Sequence, residues 1–462
     1  MAIDKITGNV IADGAIDHAD KIATGVVIAA KIGADAVGGT KLADNAVNSE
    51  HITAASIDTA HIADDQVTGA KIENNPSIAG NLTVGGDLVP ATPLSSRNMI
   101  INGGMQVWQR QTAATAATGY TTVDRFWLNE SGDGAYTSQK YDMSVAELNT
   151  TGHRTALQLN CTTADASVAA DHYAYFFQRI EAQDLQHLQY GTAAAKTITL
   201  SFWVKSNKTG VYCVDIEKKD STAYFIPIEY TISSANTWEK KVITITPTAG
   251  STSFITSAAG VIDDNTDTGL EIAFGLKWGS NYHGTNNTWT ASSHYGTSNQ
   301  VNWMDSTSNN FYITGVQLEL GSNATPFEHH KFTDELRKCQ RYFYVIADQR
   351  GAGVGMAGTQ TGTSQPSAFA NVSVYHTNVT YFHVLFPVMM RAAPTYENTT
   401  GTNYYMYYAS GNSHGASGFA ADIPTMTTIR LNNTGGSLPG TTYGGWWQTN
   451  NAACFMAVKA EL

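Results

Sequence analysis

The stretch Thr197-Ile-Thr-Leu-Ser-Phe-Trp-Val-Lys205 alternates almost strictly between polar and apolar side chains. Successive side chains of a β-strand point to opposite sides of a sheet, so this pattern collects the aliphatic and Phe side chains on one face. The stretch therefore predicts a strand that packs one face against a hydrophobic core. The segments 241–246 and 269–277 repeat the pattern and predict further strands of the same kind.

Outward from these strands, apolar runs separated by polar turns continue over 98–346 and predict a β-sandwich or jelly roll. One helix is expected at 333–342, with Thr333 as its N-cap and an acidic pair in its first turn. The segment 347–462 is rich in Gly and aromatic residues and is predicted to form a second β-rich unit. The predicted fold class is therefore mainly β.

Upstream, an aliphatic residue recurs every five residues, a period that neither one helix face nor one strand face can collect. Such a repeat indicates a short folding-back unit stacked along an axis. Two conformations fit it: short helical turns separated by tight bends, or a β-helical coil of short rungs. The repeating aliphatic positions are Ile22, Val27, Ile32, Val37, Leu42, Val47, Ile52, Ile57, Ile62, Val67 and Ile72.

These aliphatic residues are too sparse for one chain to bury a core. Ordering each residue costs about 1–2 kcal/mol of backbone entropy. Only one residue in five is a buried Ile or Val, and its burial returns only about 1.5–3 kcal/mol. We therefore expect a homotrimer whose chains wind about a common axis. The predicted parts of this elongated fibre are an attachment segment (1–20), a stalk (21–75), a linker (76–97), a jelly-roll domain (98–346) and a C-terminal tip (347–462).

Composition and charge restrict the classes of partner that this chain is expected to bind. The net charge is −12 and no basic block occurs, so no nucleic-acid partner is expected. No apolar run approaches the ~18 residues that a membrane span needs, and segment 1–20 has no apolar signal-peptide core, which predicts assembly in the cytoplasm without membrane insertion. The four cysteines are widely scattered, and Gly351–Gly355 matches no nucleotide-binding motif, so neither a metal nor a cofactor is predicted.

Several motifs resemble a module that is widespread in phage tail-fibre-like and virion proteins. They are Asn98-Met-Ile-Ile-Asn-Gly-Gly-Met-Gln-Val-Trp-Gln-Arg110, Tyr120-Thr-Thr-Val-Asp-Arg-Phe-Trp127, Phe177-Gln-Arg-Ile-Glu181, Ser201-Phe-Trp-Val-Lys-Ser206, Phe311-Tyr-Ile-Thr-Gly-Val-Gln-Leu-Glu-Leu-Gly321, Ala324-Thr-Pro-Phe-Glu328 and Cys339-Gln-Arg-Tyr-Phe343. This family is similar to jelly-roll carbohydrate-binding modules. The stalk repeat likewise resembles decapeptide-like repeats of bacteriophage head and tail fibres, some of which are trimeric supercoils.

The resemblance implies a virion protein that attaches to phage tail, neck or capsid proteins through its N-terminus. It also implies contact with host cell-surface polysaccharide. Sugar binding needs flat aromatic faces with amides and hydroxyls beside them. Two aromatic clusters have that composition, although packing in a core or a trimer interface is the favoured alternative for any one of their rings. The candidate glycan-binding residues are Trp289 and Tyr295 in the first cluster, and Tyr405, Tyr407, Tyr443, Trp446 and Trp447 in the second.

Two rival functions remain. A tailspike-type glycan hydrolase would use a pair of carboxylates, for which the candidates are Asp215, Glu217, Glu229, Asp263, Asp264, Asp267 and Glu271. A purely structural head or neck fibre would bind no receptor. The segment 263–267 has a composition that suits either a calcium site or a solvated turn, of which the solvated turn is favoured. No nucleophile elbow is present, so the chain is expected to bind its target without catalysis.

Overall fold

The computed structural model describes residues 95–116, 118–348, 378–409, 411–436, 438, 444–451 and 453–462, together with the backbone of 368–376. The attachment segment, the whole stalk with its aliphatic line, most of the linker, Gly351–Gly355 and Tyr443 lie outside the described residues. The predictions made for them stay predictions.

The jelly-roll lobe is a sandwich of two antiparallel sheets. A six-stranded sheet has the order β1-β3-β4-β11-β6-β9 and a five-stranded sheet the order β2-β5-β10-β7-β8. The strands are β1 (Thr115–Ala116), β2 (Trp127–Ser131), β3 (Ala135–Asp142), β4 (Thr155–Thr163), β5 (Tyr173–Glu181), β6 (Ile198–Ser206), β7 (Gly210–Lys218), β8 (Tyr224–Ile232), β9 (Glu239–Ile245), β10 (Thr268–Trp278) and β11 (Asn310–Leu320). The mainly β fold class is confirmed.

The alternation predicted from the sequence sets the inner face of each sheet. Leu200 and Phe202 of β6 enter the core from the six-stranded sheet, and Phe176 of β5 and Phe274 of β10 meet them from the five-stranded sheet. The rings of Phe202 and Phe274 lie edge to face at 5.2 Å. The three predicted strands correspond to β6, β9 and β10, with ends that differ by one or two residues.

Two α-helices flank the sandwich, α1 (Val145–Thr151) and α2 (Phe332–Gln340). The predicted Thr333 cap is wrong: α2 begins one residue earlier, after an extended Lys331 that makes no side-chain cap. The acidic pair does lie in its first turn. Helix α1 was not predicted, although Ser144 and Glu147 form a complete capping box that the sequence carries.

The C-terminal lobe contains two more antiparallel sheets, as its β-rich prediction required. Three strands have the order β12-β21-β15, and seven have the order β17-β16-β20-β13-β14-β19-β18. The strands are β12 (Phe343–Asp348), β13 (Ala368–His376), β14 (Val379–Leu385), β15 (Thr395–Asn398), β16 (Tyr405–Ala409), β17 (Asn412–Ala416), β18 (Gly418–Pro424), β19 (Thr428–Thr434), β20 (Gly444–Thr449) and β21 (Phe455–Lys459). The lobe has a hydrophobic core of its own.

A buried ionic clamp fastens the two lobes together. The Glu461 carboxylate accepts hydrogen bonds from Arg110 Nη2 at 2.6 Å and Arg125 Nη1 at 2.5 Å. Arg110 also contacts Asp124 at 3.0 Å, and the Arg125 guanidinium stacks 3.4 Å above the Tyr342 ring. The four residues that surround Glu461 lie in the segments that carry the family resemblance: Arg110, Asp124, Arg125 and Tyr342. Those motifs therefore have a structural role at the junction.

Among the described residues, no helix is long and apolar enough to cross a membrane. All four cysteines are buried and carry free thiols. Cys161 and Cys213 lie on β4 and β7 and serve as small buried side chains.

Candidate functional site

The outer face of the five-stranded sheet is the candidate site. Strand β5 turns Ala174, Phe176 and Ile180 toward the core, so the alternate residues Tyr175 and Phe177 point away from it. Strand β10 alternates in the same way, with Leu270, Ile272, Phe274 and Leu276 inside. The face away from the core thus receives aromatic, charged and very small side chains from neighbouring strands.

Six aromatic rings form a continuous line across this face, which we call the aromatic row: Tyr120, Trp127, Phe177, Tyr175, Trp278 and Tyr295. Trp127 meets Tyr120 edge to face at 5.1 Å and lies nearly parallel to Phe177 at 6.3 Å. Phe177 stacks on Tyr175 at 5.6 Å. Tyr175 approaches Trp278 at 4.8 Å, and Trp278 stacks on Tyr295 at 5.1 Å with 17° between the planes.

One end of the aromatic row depends on a glycine. A Cβ at Gly275 would lie 2.1 Å from Nε1 of Trp278, so the indole occupies the space that any side chain would need. Tyr295 then stacks on that indole from the loop that follows β10. The small residue on the strand thereby lets a ring from the strand end fold back over the sheet.

Charged groups border the aromatic row. Glu217 of β7 and Glu271 of β10 are direct cross-strand partners, an arrangement that like charges disfavour. Lys219 Nζ lies 2.9 Å from Glu217 and 3.8 Å from Glu271, and Arg179 Nε donates to Glu271 at 2.7 Å. The Arg179 guanidinium also lies 4.8 Å from the Phe177 ring centre. Two cations therefore hold both carboxylates in fixed orientations beside the rings.

Asp215, two residues before Glu217 on the same face, completes what we call the carboxylate patch (Asp215, Glu217 and Glu271). Its Oδ1 accepts a hydrogen bond from the Ile226 backbone N–H at 3.1 Å, and Oδ2 is buried without a partner among the described residues. Burial raises the pKa of Asp215 well above its ordinary range, and the charges of Glu217 and Glu271 raise it further. Burial, followed by Glu271, also raises the pKa of Glu217.

The structure distributes the predicted glycan-binding residues unevenly. Tyr295 is half-buried and belongs to the aromatic row. Trp289 is only 1% exposed and donates its indole N–H to the Thr246 carbonyl at 2.9 Å. Tyr405, Tyr407 and Trp447 are 0% exposed and pack in the C-terminal core. For these four residues the expected glycan contact is wrong, because their rings are covered by their own lobe.

Trp446 lies on the opposite side of β20 from Trp447, as strand alternation requires. It is 45% exposed and stacks on Tyr408 of the paired strand β16 at 5.8 Å, with 14° between the planes. We call these two residues the Trp446 pair. It is a second aromatic surface, on the seven-stranded sheet.

The predicted glycan-binding residues did not include five rings of the aromatic row or its two bordering cations: Tyr120, Trp127, Tyr175, Phe177, Trp278, Arg179 and Lys219. The available signal was the run Tyr173-Ala-Tyr-Phe-Phe-Gln-Arg179, in which aromatic residues occupy alternate positions of a strand. Of the carboxylates proposed for a hydrolase, the structure brings Asp215, Glu217 and Glu271 together. Glu229 instead accepts hydrogen bonds from Thr297 and Asn299, and the three aspartates at 263, 264 and 267 lie in an exposed loop before β10.

Within the part of the chain that the structure describes, no group of three or more His, Cys, Asp or Glu side chains is arranged to hold a metal ion. In the carboxylate patch, Glu217 pairs with Lys219 and Glu271 pairs with Arg179, so these two cations supply compensating charge.

No family model and no curated protein matches this chain. Among solved structures, it is similar to the enzymatically active domain of tailspike protein 4 of bacteriophage CBA120, at 15% identity and a TM-score of 0.24 over 48% of this chain and 21% of that one. A family 11 carbohydrate-binding module from Clostridium thermocellum, in complex with a β-1,3-1,4-mixed-linked tetrasaccharide, matches at 11% identity with a TM-score of 0.23 over 46% and 99% of the two chains. TmCBM61, in complex with β-1,4-galactotriose, matches at 9% with a TM-score of 0.22 over 49% and 100%. These are distant likenesses in fold.

Proposed function

We propose that the jelly-roll lobe is a glycan-binding module that recognises a polysaccharide on the surface of a host cell. The observation that carries the proposal is the aromatic row with its charged border on the outer face of the five-stranded sheet. Flat rings of this kind stack on the C–H faces of pyranose sugars, and fixed polar groups beside them bind the hydroxyls.

The division of labour follows from the contacts. Tyr175 and Trp127 are half-buried, so each has an edge or face left for a sugar ring, whereas Phe177 is only 3% exposed. Arg179 and Lys219 are part-exposed donors for sugar hydroxyls, whereas Glu217 and Glu271 are only 3% exposed and hold these two cations in place. Because each of these charged groups is already held by a partner, little side-chain entropy is lost when a sugar binds.

We also propose that the module binds without hydrolysing the polysaccharide. Burial raises the pKa of Asp215 well above its ordinary range, but this carboxyl group is 0% exposed and has no route to a glycosidic oxygen in this conformation. Glu217 and Glu271 are each paired with a cation. Incubation with host polysaccharide followed by a reducing-end assay tests this: the proposal expects no new reducing ends, and their appearance would favour the tailspike-type hydrolase.

The Trp446 pair supports a second glycan contact, in the C-terminal lobe. An exposed tryptophan reduces solubility unless a ligand or partner covers it, and its parallel contact with Tyr408 presents a flat surface of two rings. This surface is separate from the aromatic row, so a fibre tip with both surfaces binds one polysaccharide at two places.

The whole chain, in this proposal, is a bacteriophage fibre protein. Its N-terminal segment attaches to tail, neck or capsid proteins, and three chains join along the stalk. Three glycan sites per fibre, and several fibres per virion, would raise the overall affinity through effective concentration even where each site is weak. A purely structural head or neck fibre would share the stalk but would not need a glycan-binding surface such as the aromatic row.

The experiment compares Tyr175→Ala and Trp127→Ala with the wild type on a glycan array, followed by calorimetry with the best ligand. Removal of a stacking ring should weaken binding by about 1–3 kcal/mol, as for other aromatic platforms. Tyr312→Ala is the matched control, because Tyr312 is a half-buried tyrosine on the outer side of the six-stranded sheet. If all three variants bind like the wild type, or no glycan binds, the proposed function is wrong.

A further inference from the structure

The second candidate site is a cleft between the two lobes, which we call the inter-lobe cleft. It has a volume of about 850 Å³, within the range of small-molecule and oligosaccharide sites. One wall is formed by the segment that carries β1 and by Trp127, and the other by β15 and the end of β21. Its lining includes Gln111, Thr115, Thr118, Tyr120, Trp127 and Thr395.

The inter-lobe cleft is continuous with the aromatic row. Tyr120 and Trp127 line the cleft, and the same Trp127 lies parallel to Phe177 at 6.3 Å in the row. Both rings are half-buried, so they form the shared boundary of two surfaces. A ligand chain that leaves Tyr175 along the rings therefore reaches the cleft at Trp127.

The cleft walls indicate the chemistry of the ligand. Hydroxyl and amide side chains dominate one wall, where Thr118 is exposed and Gln111 half-buried. The fixed charges have partners: Lys459 binds Glu397 at 2.8 Å, and Arg110 binds Asp124 and Glu461. Arg391 donates to the carbonyl oxygens of Ala460, Glu461 and Thr266 at 2.9–3.1 Å. Rings, hydroxyls and paired charges suit an uncharged, hydroxyl-rich molecule.

We propose that the inter-lobe cleft is a second section of the glycan site, and that it takes the continuation of a neutral polysaccharide strand bound on the aromatic row. This inference rests on the proposed function of the row. It adds that the C-terminal lobe takes part in recognition, and that affinity increases with the length of the sugar chain.

The test uses size-fractionated fragments of the neutral polysaccharide that binds best on the array, from disaccharides to octasaccharides. On the wild type, the octasaccharide should bind at least about tenfold more tightly than the trisaccharide. Thr395→Trp places an indole in the cleft from an exposed position on β15, and should reduce this ratio to about one. Thr231→Trp, at an exposed position of β8 away from the cleft, is the matched control and should keep the ratio.

The outcomes separate the two proposals. Equal affinity for short and long fragments on the wild type overturns the inference about the cleft, as does a length dependence that survives Thr395→Trp. In both cases binding that is lost in Tyr175→Ala leaves the proposed function of the aromatic row in place. If no fragment of any length binds, the proposed function falls, and the inference falls with it.

Discussion

At the scale of the residue, the side of the sheet on which a ring packs decides whether it belongs to the candidate site. Trp278 and Trp289 come from the same Gly- and Asn-rich part of the sequence, yet one folds over Gly275 on the outer face and the other hydrogen-bonds within the core. Composition around a tryptophan does not distinguish these outcomes. The difference lies in the surface on which each ring packs: Trp278 packs on the outer face of the five-stranded sheet, and the loop after β10 carries Trp289 to Thr246.

Gly275→Ala should damage the end of the aromatic row that contains Trp278 and Tyr295. The new methyl group collides with Nε1 of Trp278, so the ring must move or the strand must shift, at a cost of about 1–3 kcal/mol. Chemical unfolding and glycan calorimetry should both show a loss. Gly444→Ala is the control, because a Cβ there meets nothing within 4 Å. Equal effects of the two substitutions would contradict the packing argument.

Asp215→Asn should change stability in a pH-dependent way. The raised pKa means that the folded protein holds this proton more tightly than the unfolded chain, whose aspartate titrates near 4. The stabilising contribution is therefore present below that pH and is lost as the pH rises through the folded value. Asparagine keeps an acceptor for the Ile226 N–H and carries no charge, so the unfolding free energy of the variant should increase relative to that of the wild type as the pH rises above about 4.

Urea unfolding at several pH values measures the difference between Asp215→Asn and the wild type. The exposed Asp264→Asn provides the control, since that side chain lies in the loop before β10. A stability difference that stays constant across the pH range would show that Asp215 is ionised in the folded protein throughout.

At the scale of the element, alternation along a strand was the most dependable signal. It located β6, β9 and β10, because a half-buried strand must repeat its apolar residues with a period of two. The order in which strands associate has no comparable local signal. The candidate site joins residues of β2, β5, β7 and β10, and these become neighbours only through the order β2-β5-β10-β7-β8. Tyr295 alone was therefore selected in advance from the aromatic row.

Alternation along β20 also predicts different effects when each of two adjacent tryptophans is replaced by alanine, one on stability and the other on binding. Trp447→Ala should lower the unfolding free energy by about 3–5 kcal/mol, because a fully buried ring and its hydrogen bond to Thr380 are lost. Trp446→Ala should leave stability nearly unchanged but weaken adsorption to host cells by about 1–3 kcal/mol. Thermal unfolding and an adsorption assay test both; two unstable variants, or two that adsorb normally, would end this proposal.

At the scale of the whole molecule, the ionic clamp makes the two lobes one unit. Glu461→Ala leaves Arg125 buried without its carboxylate, and the loss of one partner from a buried ion pair costs about 3–5 kcal/mol. Calorimetry should show a lower melting temperature and, if the lobes separate, two transitions in place of one. Glu397→Ala is the control, because its pair with Lys459 is exposed. A variant as stable as wild type would show that the clamp contributes little.

The trimeric stalk remains the prediction of largest scale. Leu42→Asp or Ile52→Asp would place a carboxylate on the aliphatic line, where burial of an unpaired charge is strongly unfavourable. Light scattering on the full chain should then show a monomer mass in place of a trimer mass, while the unfolding transition of the region from Asn98 onward stays the same. A monomer mass for the wild-type chain would instead remove the basis of the fibre proposal.

The position of β21 has a consequence for the order of events during synthesis. This strand is the middle member of its sheet and hydrogen-bonds to both β12 and β15, which emerge from the ribosome long before it. Until residues 455–461 have been made, both earlier strands have unpaired edges and the clamp arginines have no glutamate. Sheets whose strands pair over long sequence separations form slowly, and their unpaired edge strands are prone to aggregate until pairing is complete. We therefore expect a ribosome-bound chain that stops short of β21 to be captured by chaperones or degraded, so that truncated chains do not accumulate.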